Sequence, residues 1–224
     1  MPNLFAHIVF YGWPLVVFVL FRQLPTAAAI GWSILAGYLL LPNVVELDLP
    51  GVPSVNKYGL PVLCALLMIL FGVGTASTTP RDNGRRHWWL TIVLLVLMLT
   101  SPILTVATNT EPVPAGPDFR PGLVPYDAAS LIATLAIMVL PFLLAQRYFA
   151  SPESHDLLLR ILVFGVLVYS LPILFEVRMS PQLNIMFYGF FPHAFDQHVR
   201  AGGYRPLVFL EHGLWLAILV AMAA

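Results

Sequence analysis

Seven long apolar runs, each separated from the next by a polar or proline-rich stretch, dominate this chain. A bilayer-crossing helix needs about 20 mostly apolar residues at ~1.5 Å of rise each, whereas a barrel strand needs about 10. Runs this long therefore read as helices. The hydrocarbon holds no water, so every backbone N–H and C=O must find a partner inside the protein, and a helix supplies one locally. Of the 224 residues, 59% are hydrophobic and 10% charged, under half the charged share of ordinary soluble domains. A water-facing surface cannot be covered from that supply. The expected fold is all-α: a polytopic transmembrane helical bundle of about seven spans, forming one domain over residues 1–224.

The expected spans run from Phe5 to Phe21, Thr26 to Val45, Tyr58 to Ser77, Trp89 to Ala107, Ala128 to Ala145, Leu157 to Phe175, and from Arg205-Pro206 to the end. Gly31 and Gly37 sit where small residues let neighbouring helices approach. The lone cysteine, Cys64, falls inside an apolar run, so no internal disulfide framework is possible. The start of the chain has neither a basic region nor a small-residue cleavage site, and the first span is expected to be retained. The formal net charge of zero gives no reason to expect a nucleic-acid partner.

Orientation follows from lysine and arginine, which favour the cytoplasmic side. A turn with Arg81, Arg85, Arg86 and His87 precedes the interfacial pair Trp88-Trp89. With that turn inside, Arg22, Arg147 and Arg160 are inside too, and the N-terminus is outside. Lys57, Arg120, Arg178, Arg200 and Arg205 then lie on the outer side. Three of those five belong to the stretch from Glu176 to Arg205, an exception that asks for a cause.

That stretch, residues 176–205, is expected to be a long outer-face loop of interfacial character. It mixes arginines, histidines and an acid with aromatic residues and turn formers, a composition suited to the headgroup layer. Clustered arginines favour bidentate recognition of phosphate or carboxylate. Gly202-Gly203 permits a bend, Pro206 suits a first helical turn, and an arginine beside a helix N-terminus makes an anion site. Ordinary interfacial anchoring by these arginines is the plainer alternative. His212 falls two turns beyond Arg205 on nearly the same face of the expected last span. It marks either a polar cavity or a bond to a neighbouring helix. Glu211 points elsewhere and could pair with an arginine. His193 and His198 have metal-like spacing but lack supporting ligands, so no metal site is expected. Asp196 is a candidate general base or a solvated loop acid. Glu46 and Asp48 are candidates for the mouth of the same cavity.

Glu176-Val-Arg-Met-Ser-Pro-Gln-Leu, Tyr188-Gly-Phe-Phe-Pro-His and Gly202-Gly-Tyr-Arg-Pro-Leu-Val-Phe-Leu-Glu-His-Gly-Leu resemble bacterial O-antigen polymerase and O-antigen ligase-like membrane glycosyltransferases. Leu47-Asp-Leu-Pro-Gly-Val-Pro and Thr105-Val-Ala-Thr-Asn extend the resemblance over most of the chain. It implies an enzyme of the bacterial inner membrane, working at the outer face without metal, nucleotide sugar or other cofactor. A glycan passes from an undecaprenyl-diphosphate carrier to an acceptor glycan or lipid. By the same resemblance, Arg200, Arg205 and Arg178 hold the diphosphate, with Tyr204 and His193 lining the site, while His212 or Asp196 assists the acceptor. Membrane lipids are the other partners. Members of that family are about twice this length, so a C-terminal half or another polysaccharide-assembly protein is an implied partner. The competing readings are a transporter or flippase for lipid-linked sugars, which predicts charges spread through many spans, and a non-catalytic assembly subunit.

Overall fold

The computed structural model describes residues 1–49, 52–74, 88–116, 118–192, 194–200 and 202–224. Their fold is all-α with three small two-stranded sheets. Four helices are long and apolar enough to cross a membrane: α1 (Leu4–Gln23), α4 (Trp88–Thr108), α5 (Pro125–Tyr148) and α6 (Pro152–Met179). Three shorter apolar helices, α2 (Thr26–Leu40), α3 (Gly59–Leu70) and α8 (Gly213–Ala223), fall within the other expected spans. The six-residue α7 (Leu183–Tyr188) is the eighth helix.

The ends of these helices have local causes. Asn3 caps α1 by accepting the Ala6 N–H at 2.9 Å, and Arg22 lies in its last turn, where a cation meets the negative end of the helix dipole. Helix α2 stops at Leu40 rather than the expected Val45 because Pro42 follows Leu41, and a residue before proline is driven out of the helical region. Helix α6 opens with Pro152 at its first position and a reciprocal Ser151–Ser154 capping box. Helix α3 ends at Leu70, well before the expected Ser77; residues 75–77 and the basic turn at Arg81, Arg85, Arg86 and His87 lie outside the described residues.

The chain divides into two compact units. The first comprises Met1–Leu47, Val55–Thr79 and Pro141–Ala224. Here α1, α2, α3 and α6 pack together through small residues. A β-carbon on Gly37 would lie 2.9 Å from Pro61 Cβ and 3.3 Å from Trp13 Nε1, and one on Gly31 would lie 2.9 Å from Ile161 Cδ1. Gly165 of α6 takes Leu35 in the same way. A core of Leu39, Val166, Tyr169, Leu183, Val208 and Leu216 joins α2, α6, α7 and α8. The opposite face of α6 carries Leu167, Leu171 and Leu174 at 65%, 69% and 63% exposure, an apolar surface that suits lipid rather than water.

The second unit comprises Asp48–Ser54 and Pro80–Leu140. Its α4 buries only Pro102 among its residues. Thr100, Thr105 and Thr108 each donate to the carbonyl four residues back, at 2.8, 2.9 and 2.9 Å, so their hydroxyls need no outside acceptor. Strands β3 (Val113–Ala115) and β4 (Asp118–Arg120) form an antiparallel hairpin with Val113 opposite Arg120. Strands β1 (Leu47–Leu49) and β2 (Val52–Val55) form another two-stranded sheet.

The polar stretch and the last helix both depart from the expected pattern. Glu176 and Arg178 belong to α6, which runs on to Met179. Beyond it come α7, a 3₁₀ turn (Phe195–His198), and the antiparallel strands β5 (Val199–Arg200) and β6 (Gly203–Tyr204). The last helix starts at Gly213, seven residues past the expected Pro206. Pro206 lacks an N–H, and the amides after it are bonded to side chains of the first unit instead of to a helical ladder.

Candidate functional site

A buried carboxylate organises this end of the first unit. Glu176 is fully buried in the last turns of α6. Its Oε1 accepts the Leu183 N–H at 3.0 Å, and its Oε2 accepts those of Leu207 at 2.9 Å and Val208 at 2.7 Å. Tyr169, two turns earlier on α6, donates its hydroxyl to the Leu39 carbonyl at 3.1 Å and accepts the Phe209 N–H at 3.1 Å. The Leu210 N–H bonds back to the Leu207 carbonyl at 2.9 Å. Every N–H from Leu207 to Leu210 is thereby satisfied, in a non-helical strap whose Leu207, Val208 and Leu210 are fully buried. Buried irregular backbone demands that accounting. Val208 has φ 55°, a conformation that costs a β-branched residue about 1–3 kcal/mol and persists only where surroundings over-determine it. The pair of bonds to Glu176 Oε2 does so.

The strap fixes what flanks it. Upstream, the Arg205 N–H donates to the His198 carbonyl at 2.8 Å, and His198 Nδ1 lies 3.3 Å from the Arg205 carbonyl. His198 is fully buried, with Phe191 edge-on to its ring. Downstream, His212 adopts extended backbone and caps α8 by accepting the Leu214 N–H on Nδ1 at 3.1 Å. The His198 and His212 rings are 6.1 Å apart, centre to centre. The Arg205 side chain lies against Gly213, where an added β-carbon would come within 2.7 Å of Cγ and 2.9 Å of Nε. Arg205 and His212 are therefore both placed at the start of α8, although not as two residues of one helix.

A second cluster sits on the same strap. Lys57, in the turn before α3, is 1% exposed and donates Nζ to the Phe209 carbonyl at 2.9 Å. Its ammonium lies 5.9 Å from the Tyr38 ring centre and 5.8 Å from that of Tyr58, a cation–π arrangement. Burial pushes the Lys57 pKa down to about 7, against the opposing pull of the Glu211 charge. Tyr58 donates its hydroxyl to Glu211 Oε2 at 3.2 Å. Burial, then the charge and hydrogen bond of Glu211, push that phenol up, so it stays a donor. Sequence reasoning counted Lys57 only as an outer-side charge and gave Tyr58 no role. The signal available was slight: a lysine wedged against an aromatic residue at the foot of an apolar helix. Glu211 bonds to Tyr58 and, among the described residues, to no arginine.

The other candidates are dispersed. Arg178 is exposed in the last turn of α6. Asp196 is exposed on the 3₁₀ turn. Arg200 pairs with Gly203 across the β5–β6 hairpin, beside the partly exposed Tyr204, whose ring neighbours Phe195 at 6.3 Å. His193 lies outside the described residues. Among those residues, no group of three or more His, Cys, Asp or Glu side chains could hold a metal ion.

Fold and site define an all-helical protein with helices of membrane-crossing length and composition, and with a polar site at one end of its main helical unit. No family model matches the chain, and no curated protein or solved structure is significantly similar to it.

Proposed function

We propose that this chain is a metal-independent glycosyltransferase of envelope polysaccharide assembly, of the O-antigen polymerase or ligase type. It acts on an undecaprenyl-diphosphate-linked glycan at the outer face of the bacterial inner membrane. The observation that carries the reading is Arg205, seated against Gly213 at the first turn of α8 beside His198 and His212. A guanidinium held there offers a bidentate fork to a diphosphate and stabilises charge as the carrier departs. By the resemblance, Arg200, Arg178, Tyr204 and His193 are proposed as further contacts to the lipid-linked substrate.

In this reading the chain crosses the membrane seven times with its N-terminus outside. The short α8 bears on that count. Eleven helical residues span only ~17 Å of a ~30 Å hydrocarbon layer, but the fully bonded strap before it extends the segment. Irregular backbone is tolerated at membrane depth when it is buried in protein and satisfied, as Leu207–Leu210 are. A transporter would need charges along several helices, whereas the four long apolar helices here carry at most two charged residues in their apolar windows.

The test is complementation in a bacterial host that loses surface polysaccharide when this chain is deleted, run with and without the downstream reading frame. Arg205→Lys is expected to abolish the polysaccharide ladder and to accumulate lipid-linked glycan, because a point charge cannot replace the fork. A normal ladder from that variant would remove Arg205 from the site, and failure of the parent chain to restore the ladder, with or without the downstream reading frame, would remove the function.

A further inference from the structure

The proton acceptor of the transfer is the remaining chemical gap, and the geometry separates the candidates. His212 accepts the Leu214 N–H on Nδ1, so its neutral ring carries the proton on Nε2 and presents a donor there. It cannot take a further proton at Nε2 while it caps α8. Asp196 is exposed, and no described side-chain contact ties it to the strap. Glu211 is different. It is half-buried, one residue before His212, and its Oε2 is fixed by the Tyr58 hydroxyl at 3.2 Å. Among the described residues its carboxylate makes no ion pair, and Oε1 has no hydrogen-bond donor. Lys57, the nearby cation, is committed elsewhere: it donates to the Phe209 carbonyl at 2.9 Å under the rings of Tyr38 and Tyr58. A carboxylate oriented through one oxygen by a neutral donor and left without a donor at the other has the form of a positioned general base.

We infer that Glu211 takes the proton of the acceptor hydroxyl, with Tyr58 as its positioning residue. The inference rests on the glycosyl-transfer reading above. The acceptor O–H bond breaks, and its proton goes to Glu211 Oε1. The hydroxyl electron pair forms the new bond to the anomeric carbon. The bond from that carbon to the carrier's phosphate oxygen breaks, and its pair leaves on undecaprenyl diphosphate, where Arg205 meets the charge. His212, a donor at Nε2, serves the departing diphosphate rather than the acceptor.

The experiment uses the full chain in membrane vesicles of the same host, with undecaprenyl diphosphate as the binding probe by native mass spectrometry and polysaccharide formation as the reaction. Glu211→Gln is expected to bind the probe within about twofold of the parent while forming product roughly 10²–10⁴-fold more slowly, the usual worth of a general base. Glu211→Asp should retain a measurable rate with an intact acid limb in its pH profile. Tyr58→Phe should lower the rate and displace that limb without affecting probe binding. Parental rates in Glu211→Gln would overturn the assignment and leave the transferase reading standing. Failure of the parent chain to bind the probe or make product would overturn both. Joint loss of probe binding and folded protein in Glu211→Gln, Glu211→Asp and Tyr58→Phe would make Glu211 structural.

Discussion

Replacing Glu176 with glutamine preserves shape and volume but leaves one acceptor oxygen where the strap uses two. The amide oxygen can occupy the Oε2 position and keep the Leu207 and Val208 N–H groups, now as neutral bonds. The amide nitrogen then faces the Leu183 N–H, donor against donor. Losing one charge-assisted bond costs about 1.5–3 kcal/mol, and halving the other two costs a similar amount. Neutralising a buried charge returns part of this, leaving about 2–4 kcal/mol against the closed strap. Val208, held at φ 55°, adds its own tendency to relax. At 1.4 kcal/mol per decade, the strap should open roughly 30- to 1,000-fold more often. Hydrogen exchange of the detergent-solubilised protein reads this directly, since the amides of 183, 207 and 208 exchange only through that opening. Their exchange should accelerate by that factor in Glu176→Gln, while amides in the middle of α1 stay unchanged. Unaltered exchange at 207 and 208 would refute the idea that Glu176 holds the strap.

Gly37→Ala should destabilise by about 1–3 kcal/mol through overpacking against Pro61 and Trp13, whereas Gly12→Ala, with nothing within 4 Å, should be neutral or stabilising; melting temperatures in detergent compare the pair. Lys57 carries a pKa lowered to about 7 by burial, so a state in which it is solvated binds the extra proton above that pH. Stability should therefore be flat below pH 7 and rise by about 1.4 kcal/mol per unit above it, levelling off near the solvated lysine value of 10.5. Lys57→Met should flatten the rise, and a parallel slope in that variant would exclude Lys57 as its source. Cysteine introduced at position 200 should react with an impermeant maleimide from outside and cysteine at position 85 only after permeabilisation; the reverse pattern would invert the orientation.

The apolar helices were legible because length and hydropathy are local properties. Leu41-Pro42 shows what was readable yet passed over: proline stops α2 before its apolar run ends. The start of α8 was not readable in that way. Leu207-Val-Phe-Leu is as apolar as any helix in the chain, and what keeps it irregular lies 31 to 40 residues away, in Glu176 and Tyr169. A helical period cannot register a bond made by another segment. For the same reason Arg205 and His212 were expected as residues two turns apart on one helix, and Arg205 reaches the start of α8 instead through the close approach that Gly213 permits. Lys57, 152 residues from the carbonyl it binds, had no local signature beyond its own charge.

The order of assembly follows from the strap. Three of its four amides have no acceptor in their own segment, so the stretch after Pro206 cannot enter a bilayer alone without stranding polar groups in hydrocarbon. It becomes compatible with that medium only once α6 is in place and offers Glu176 and Tyr169. Seating of the last helix is thus a docking event, completed after its neighbours, and the polar end of the protein comes into being with that step.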